Sequence, residues 1–258
     1  MPRANRYFMP GYIWHITHRC HKQEFLLKFA STRQRYIHWL YQARKRFGVE
    51  VLNYTITSNH IHLIVRDGGG DKDIPGMIQL VAGRTAQEYN IKKKRKGAFW
   101  EDRYHATAIE TGEHLRQCLL YIDLNMVRAG AVKHPEEWKH GGYHEIQGNR
   151  RRNTIIDLNA LVKALEVKSV YDLRKAHREW IEESMRGEVP AREEKWSQSI
   201  AVGSEEFAQR TQTALGARGR KRNIAERDDA CVLREIEENY GPVFGVKNEP
   251  IAAKNVLL

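Results

Sequence analysis

The first half of the chain alternates between two hydrophobic patterns, and their order is the strongest constraint on its fold. Segments with a period of two, typical of strands, and segments with apolar residues three or four apart, typical of helices, follow one another up to residue 127. The order is strand, helix, strand, strand, helix, strand, helix. This split βαβ pattern predicts an α+β fold of ferredoxin-like type, an antiparallel sheet with helices on one face. The predicted strands are 12–18, 49–57, 60–65 and 104–109, and the predicted helices are 31–47, 74–92 and 112–127.

The pattern changes after Tyr143. Segment 148–153 is rich in Gly, Asn and Arg and is interpreted as a linker or exposed arm. Later segments have helical spacing, with Ser204 as a cap before acidic residues. A basic stretch at 216–222 is either a solvated linker or a segment that follows a phosphate backbone. We therefore predict one α+β domain over residues 1–147 and a mainly helical C-terminal extension over 148–258. The predicted helical segments of that extension are 158–186, 204–215 and 226–240.

Positive charge is concentrated in the first part of the chain. The net charge is +11, and residues 1–150 carry 24 Lys and Arg against 14 Asp and Glu. Such a field attracts polyanions such as nucleic acid, although a solubilising surface is the alternative. The three cysteines form no CxxC pair, which disfavours a disulfide scaffold and predicts a reducing, cytoplasmic compartment. No apolar run approaches the roughly 18–20 residues of a membrane span, and we expect no secretory signal.

Two histidines, His60 and His62, stand two residues apart on a predicted strand. Residues i and i+2 of a strand point to the same face, so both imidazoles project together. Such a pair is half of a divalent-metal site. The alternative is a pair of partly buried or surface histidines without a ligand, because His-x-His also occurs by chance in a chain with 12 histidines.

A tyrosine and an asparagine share a face of the third predicted helix. Tyr121 and Asn125 are four residues apart and should point the same way. A phenol has an ordinary pKa near 10, so as a nucleophile it needs a base or a polarised electrophile. Asn125 can offer a carbonyl oxygen to a hard cation. The alternative is a packing tyrosine with its hydroxyl at the rim. Arg128 is expected to contact backbone carbonyls at the end of this helix.

Five segments resemble, in the same order, the single-tyrosine HUH transposases, and most closely the REP-associated tyrosine transposases of bacteria. The resemblance covers about residues 7–145. It departs from the family pattern at Ser58 and Met126, where proline is more usual; neither is a proposed ligand or nucleophile. The segments that carry it are 10–19, 58–65, 97–104, 121–130 and 135–143.

The resemblance implies an HUH catalytic domain over residues 1–147 that acts as a metal-dependent endonuclease in DNA transposition and recombination. His60, His62 and Asn125 would be ligands of Mg²⁺ or Mn²⁺. Tyr121 would attack the scissile phosphate, form a 5′-phosphotyrosine intermediate and release a 3′-hydroxyl. Because the ester keeps the bond energy, a second 3′-hydroxyl can rejoin the DNA. Implied partners are single-stranded DNA and REP-like hairpins, with no membrane, for a cytoplasmic monomer or homodimer that is nucleoid-associated when bound.

Aromatic and basic side chains of the first domain are predicted to contact the DNA by base stacking and phosphate binding. The lysine run is alternatively a solvated helix end, and Trp100 is alternatively a core residue. A second hypothesis is a domesticated, sequence-specific DNA-binding protein with the same fold and no cleavage activity. A zinc hydrolase is disfavoured because no His-Glu-x-x-His pattern is present. The predicted DNA-binding residues are Trp14, His15, Arg19, Lys92, Lys93, Lys94, Arg95, Lys96, Trp100 and Arg103.

Overall fold

A computed structural model describes residues 8–67, 69, 73–149, 152–187, 191–227 and 230–235, without the side chains of residues 218 and 221. Within these residues, seven strands form one sheet. The strands are β1 (Ile13–Arg19), β2 (Glu50–Ile56), β3 (His60–Arg66), β4 (His105–Ile109), β5 (Ala201–Gly203), β6 (Arg222–Arg227) and β7 (Ala230–Glu235). The helices are α1 (Ala30–Phe47), α2 (Asp73–Lys92), α3 (Glu113–Asp123), α4 (Asn125–Arg128), α5 (Tyr143–Ile146), α6 (Leu158–Ala164), α7 (Val170–Met185), α8 (Lys195–Gln198) and α9 (Glu205–Ala214).

The first four strands confirm the predicted ferredoxin-like sheet. The strand order is β2-β3-β1-β4-β5-β7-β6. Strand β1 lies between β3 and β4 and is antiparallel to both, and β2 is antiparallel to β3. Local signals end the first helix as expected, because Gly48 adopts the left-handed conformation that stops α1. Ser31, the predicted cap, instead lies inside the first turn of a helix that begins at Ala30.

Helices cover both faces of this sheet, which corrects the expectation of one covered face. On one face, Trp100 stacks on His18 of β1 at 4.2 Å and donates its indole N–H to the carbonyl of Ala82 on α2. Helix α3 lies on the opposite face, where Thr55 of β2 donates its hydroxyl to the carbonyl of Ile122. None of the described helices is long and apolar enough to cross a lipid bilayer. Because α3 carries Tyr121, the face of the sheet under α3 is the one that carries the predicted site.

The C-terminal region is less helical than predicted, because it adds three strands to the same sheet. Strand β5 pairs in parallel with β4, and β7 pairs with β5 and β6. The helix predicted over 226–240 is wrong at 226–227, which belong to β6, and at 230–235, which form β7; residues 228–229 and 236–240 lie outside the described part. Its helix-forming Arg and Glu are outweighed by Val232 and Leu233, which are buried in the sheet. Segment 158–186 is helical as predicted, but it is divided between α6 and α7.

The division of the chain at residue 147 stays a prediction. The sheet continues across that point through the β4–β5 pair. A buried polar cluster also crosses it, since the ring of His177 on α7 lies 2.8 Å from the carboxylate of Asp123 at the end of α3. Asn53 on β2 donates to the other carboxylate oxygen at 3.1 Å, and Gln147 lies 2.9 Å from the second ring nitrogen of His177. The extension thus holds the helix that carries Tyr121.

Replacing His177 with alanine is expected to lower the free energy of unfolding by about 3–5 kcal/mol. His177 and the Asp123 side chain are almost completely buried, so the carboxylate would lose a partner that water cannot replace. Chemical denaturation monitored by tryptophan fluorescence measures the change. The matched control is Glu113→Gln, which weakens the exposed ion pair with Arg116 and should cost less than about 1 kcal/mol. Equal losses of unfolding free energy in the two variants would contradict the inference that the His177–Asp123 contact holds α3 in place.

Candidate active site

His60 and His62 lie on the same face of β3, as the spacing predicts. In the register of the sheet, His60 is opposite Arg19 and His62 is opposite Thr17 on β1. His62 is buried at 4% exposure, whereas His60 is half-buried at the end of the strand. Because paired residues in a sheet share a face, Arg19 stands beside His60 with its positive charge. The two imidazoles thus occupy a rigid strand at the open end of the site.

A chain of hydrogen bonds sets the tautomer of His62. The backbone carbonyl of Trp196 lies 2.8 Å from Nδ1 of His15, so this nitrogen must be the donor. The other ring nitrogen of His15 is then an acceptor, and it lies 2.9 Å from Nδ1 of His62. His62 therefore donates through Nδ1 and keeps the lone pair on Nε2. That nitrogen points toward Asn125, whose amide nitrogen is 3.2 Å away.

His60 is oriented in the same sense. Its Nδ1 lies 2.7 Å from the amide oxygen of Asn59 and 3.0 Å from the hydroxyl of Thr57. The Thr57 hydroxyl donates to the His60 carbonyl, so its oxygen is an acceptor for the ring. Nδ1 of His60 is therefore protonated, and the lone pair is on Nε2. Both histidines of the pair carry their lone pair on Nε2, which is the form that binds a metal, and on His62 this nitrogen now accepts the Asn125 amide N–H.

Burial keeps these imidazoles neutral. It lowers the pKa of His15 from 6.5 to about 3 and that of His60 to about 4. Burial also holds the pKa of His62 well below its ordinary value, and the proximity of the ionisable His60 and His15 lowers it further. Because only a neutral imidazole has a lone pair to share, both His60 and His62 are in the ligand form at pH 7.

Tyr121 on α3 and Asn125 on α4 both face His62, which confirms that they point to the same side. The ring of Tyr121 lies 5.8 Å from the ring of His62 and 6.2 Å from that of His15, edge-on to each. The predicted helix over 112–127 is interrupted at Leu124, which separates α3 from the one-turn α4. The backbone N–H of Leu124 still bonds the carbonyl of Leu120 at 2.9 Å, so Asn125 remains one turn beyond Tyr121.

Tyr121 is surrounded by groups of opposite effect on its pKa. Burial is the largest and raises the pKa above its ordinary value, whereas the charges of Arg128 and Arg192 lower it. The guanidinium of Arg128 lies 4.3 Å above the ring and donates to the Tyr121 carbonyl at 2.7 Å, as expected of a residue at the helix end. A cavity of about 540 Å³, lined by Tyr121, Arg128, Glu193 and other side chains, adjoins the ring. Tyr121 is thus a neutral phenol beside two cations.

The donor set fits a divalent cation through two imidazoles and an amide. Within the described residues, no three His, Cys, Asp or Glu side chains gather as a metal site. Asn125 is the neighbouring amide, and a hard cation requires its oxygen rather than the nitrogen that now faces His62. Nitrogen and oxygen donors together suit Mn²⁺ or Mg²⁺.

The predicted DNA-binding residues do not gather in one place. Trp14 and His15 are buried at 3% and 0% exposure, so the prediction of direct DNA contact is wrong for both in this structure. Trp100 packs between β1 and the helices, which favours the alternative of a core residue. Arg19 lies on the face of the site, and Arg103 is exposed before β4. The basic run begins at the last residue of α2 and is exposed except for Arg95; it comprises Lys92, Lys93, Lys94, Arg95 and Lys96.

Sequence reasoning missed the contribution of segment 192–196 to the site. The backbone carbonyl of Trp196 accepts a hydrogen bond from His15, and the indole ring of Trp196 lies 6.1 Å from the ring of Tyr121. The charge of Arg192 acts on His60, His62 and Tyr121. No local signal could have identified these contacts, because Trp196 reaches His15 across 181 residues through a backbone atom.

Replacing His15 with phenylalanine is expected to weaken Mn²⁺ binding about 10- to 100-fold, because the variant keeps a ring but loses the acceptor that orients His62. Isothermal titration of the protein with Mn²⁺ measures the affinity without any DNA. The matched control is His18→Phe, since His18 is buried on the other face of the same strand and is stacked on Trp100. The role of His15 would be refuted if both variants bound Mn²⁺ equally well.

Three comparisons with known proteins show what this chain is similar to. A comparison with curated proteins found no match. Among solved structures, the chain is similar to a REP-associated tyrosine transposase bound to a REP hairpin, with 20% identity, a TM-score of 0.49, and coverage of 61% of this chain and 94% of that one. It is also similar to a candidate transposase from Deinococcus radiodurans, with 13% identity, a TM-score of 0.32, and coverage of 51% and 98%. Residues 9–125 match the family model described as Transposase IS200 like.

Proposed function

We propose that this protein is a transposase that cleaves and rejoins single-stranded DNA beside REP-like hairpins through a covalent bond to Tyr121. The observation that carries the proposal is the convergence of Tyr121, Asn125 and the His60–His62 pair at one face of the sheet. The family match supports the reaction class. A protein that only bound DNA would not need a nucleophile beside two neutral imidazoles.

In the proposed reaction, the Tyr121 hydroxyl oxygen forms a bond to phosphorus as its proton leaves. The bond from phosphorus to the 3′-oxygen breaks, and this oxygen takes up a proton to become a 3′-hydroxyl. The products are a 5′-phosphotyrosine ester and a free 3′ end. Arg128, at 4.3 Å from the ring, favours the phenolate that develops during attack. A second 3′-hydroxyl can reverse the same step and join a new strand.

The proposed metal ligands are His60, His62 and the amide oxygen of Asn125. A bound Mg²⁺ or Mn²⁺ would polarise the scissile phosphate and offset its developing negative charge. His15 positions His62 for this role through the 2.9 Å hydrogen bond, and Asn59 positions His60 through the 2.7 Å bond. The support for these ligands is that both rings are neutral and carry their lone pair on Nε2, with Asn125 beside that of His62.

The experiment that tests the proposal is a denaturing gel of the protein mixed with labelled single-stranded hairpin DNA, with Mn²⁺ or with EDTA. We expect a band in which the label migrates with the protein, in Mn²⁺ only. Tight binding without a covalent band, over several hairpins and both metals, would favour a DNA-binding protein that no longer cuts.

A further inference from the structure

Three large apolar side chains are exposed on the two chain segments that meet at the start of α1 and the end of α2. Phe25 is 62% exposed, Phe29 is 40% exposed and Ile91 is 79% exposed. The chain segments that carry them are in contact, since the Lys93 ammonium lies 4.4 Å above the Phe29 ring and Arg95 pairs with Glu24 at 3.5 Å. Exposed apolar clusters of this kind mark binding surfaces more often than single exposed residues do.

Two lysines lie over the Phe29 ring, whereas the neighbouring carboxylate of Glu88 is paired with an arginine. The Lys28 ammonium lies 5.1 Å from the Phe29 ring, on which Lys93 also lies. Glu88 is held by two hydrogen bonds of 2.7 Å from Arg35 and one of 3.0 Å from Trp39. Exposed aromatic and apolar side chains within a net positive field fit a partner that carries both flat apolar groups and negative charge.

A cavity deepens this surface beside Phe29. Its volume is about 430 Å³, and it lies between the start of α1 and the end of α2. The lining side chains include Phe29, Thr32, Arg35, Tyr89, Lys92 and Lys93. The cavity thus combines two aromatic rings with hydroxyl and cationic groups, which can contact a planar base, its polar edge and its phosphate.

The same surface is connected to the candidate active site. The backbone N–H of Leu27 bonds the carbonyl of Ser58 at 2.9 Å, and the Asn59 side chain donates to the carbonyl of Gln23 at 3.3 Å. Asn59 also holds the ring of His60 at 2.7 Å. A strand whose phosphate lies at His60 could therefore continue over segment 23–29.

We propose that Phe25, Lys28, Phe29, Ile91, Lys92 and Lys93 form a platform on which unpaired bases of the DNA substrate stack. This Phe29 platform rests on the proposed function for the identity of its partner. Single-stranded DNA presents base faces to Phe25 and Phe29 and phosphates to the lysines. A paired duplex hides its base faces, and a neutral apolar partner would leave the lysines without counterions.

Fluorescence anisotropy with a labelled oligothymidylate in EDTA tests the platform without cleavage. The double variant Phe25→Ala/Phe29→Ala should bind at least about fivefold more weakly than the wild type, because each stacked base contributes substantially to affinity. Its binding to a fully paired hairpin should change little. The matched control is Tyr171→Ala, which removes an aromatic side chain of 75% exposure from α7. Lys93→Gln should weaken both DNAs and lower the salt slope on the single strand by about 0.7.

Several outcomes would overturn the platform. One is a double variant that binds the oligothymidylate as tightly as wild type, and another is an equal loss in Tyr171→Ala. A change in sedimentation coefficient without a change in DNA affinity would make the surface a subunit interface. The covalent assay separates the two proposals: an adduct with unchanged binding of the double variant contradicts only the platform. Weakened binding without any wild-type adduct contradicts only the cleavage.

Discussion

Replacing Tyr121 with phenylalanine is expected to abolish the covalent protein–DNA adduct while DNA binding and the fold persist. The change removes one oxygen and keeps the ring that packs against His15, His62 and Trp196. Because that oxygen is the proposed nucleophile, no remaining atom of the side chain can form an ester with phosphorus. Adduct yield on a denaturing gel should fall by at least about 1,000-fold.

The matched control for this prediction is Tyr143→Phe. Tyr143 is also buried, at 6% exposure, and its ring contacts His134 and His177 rather than the candidate site. This variant should form the adduct at close to the wild-type yield. Survival of the adduct in Tyr121→Phe would assign the nucleophile to another residue. A fall in melting temperature with loss of both binding and adduct would instead make Tyr121 a packing residue.

The order of the first four strands could be predicted because each element carries its own periodicity. Alternation along β1 and β3 and the helical spacing of α1 and α2 depend on neighbouring residues only. The face of the sheet on which α3 packs could not be predicted in the same way. The helical spacing of apolar residues in α3 is compatible with packing on either face. Its position is fixed by contacts between distant segments, such as the one from Thr55 to Ile122.

The residues of the candidate site could be predicted where one strand or helix alone places them on a shared face. They were missed where their position depends on contacts between two elements. The spacing of His60 and His62 on a strand, and of Tyr121 and Asn125 on a helix, gave their shared faces. His15 occupies a polar position in an alternating strand, which is the pattern of an exposed residue. Its burial beside His62 therefore could not be predicted from the sequence. The C-terminal strands were missed for the same reason. The Arg and Glu of β7 favour a helix locally, but Val232 and Leu233 pair with β5 in the sheet.

Replacing His62 with alanine is expected to raise the Mn²⁺ requirement for adduct formation by more than about 100-fold, or to abolish the adduct at every concentration. The variant loses an imidazole whose Nε2 lone pair faces Asn125, and the remaining His60 and amide cannot hold the ion alone. Loss of a ligand should exceed the 10- to 100-fold effect typical of a residue that only orients one. A Mn²⁺ titration of the adduct yield measures the shift, and electron paramagnetic resonance of free Mn²⁺ measures binding without DNA.

The matched control separates the loss of a ligand from the loss of a buried histidine. His105 on β4 is opposite Thr17, on the same face of the sheet as His62, and its ring bonds the carbonyl of Ser199 at 2.9 Å. His105→Ala therefore removes a partly buried ring and a hydrogen bond but no proposed ligand. It should leave the Mn²⁺ titration within about twofold of wild type, since no metal-bound group or its orienting partner changes. An unchanged titration in His62→Ala would contradict ligation, because burial alone would then account for its position beside Tyr121.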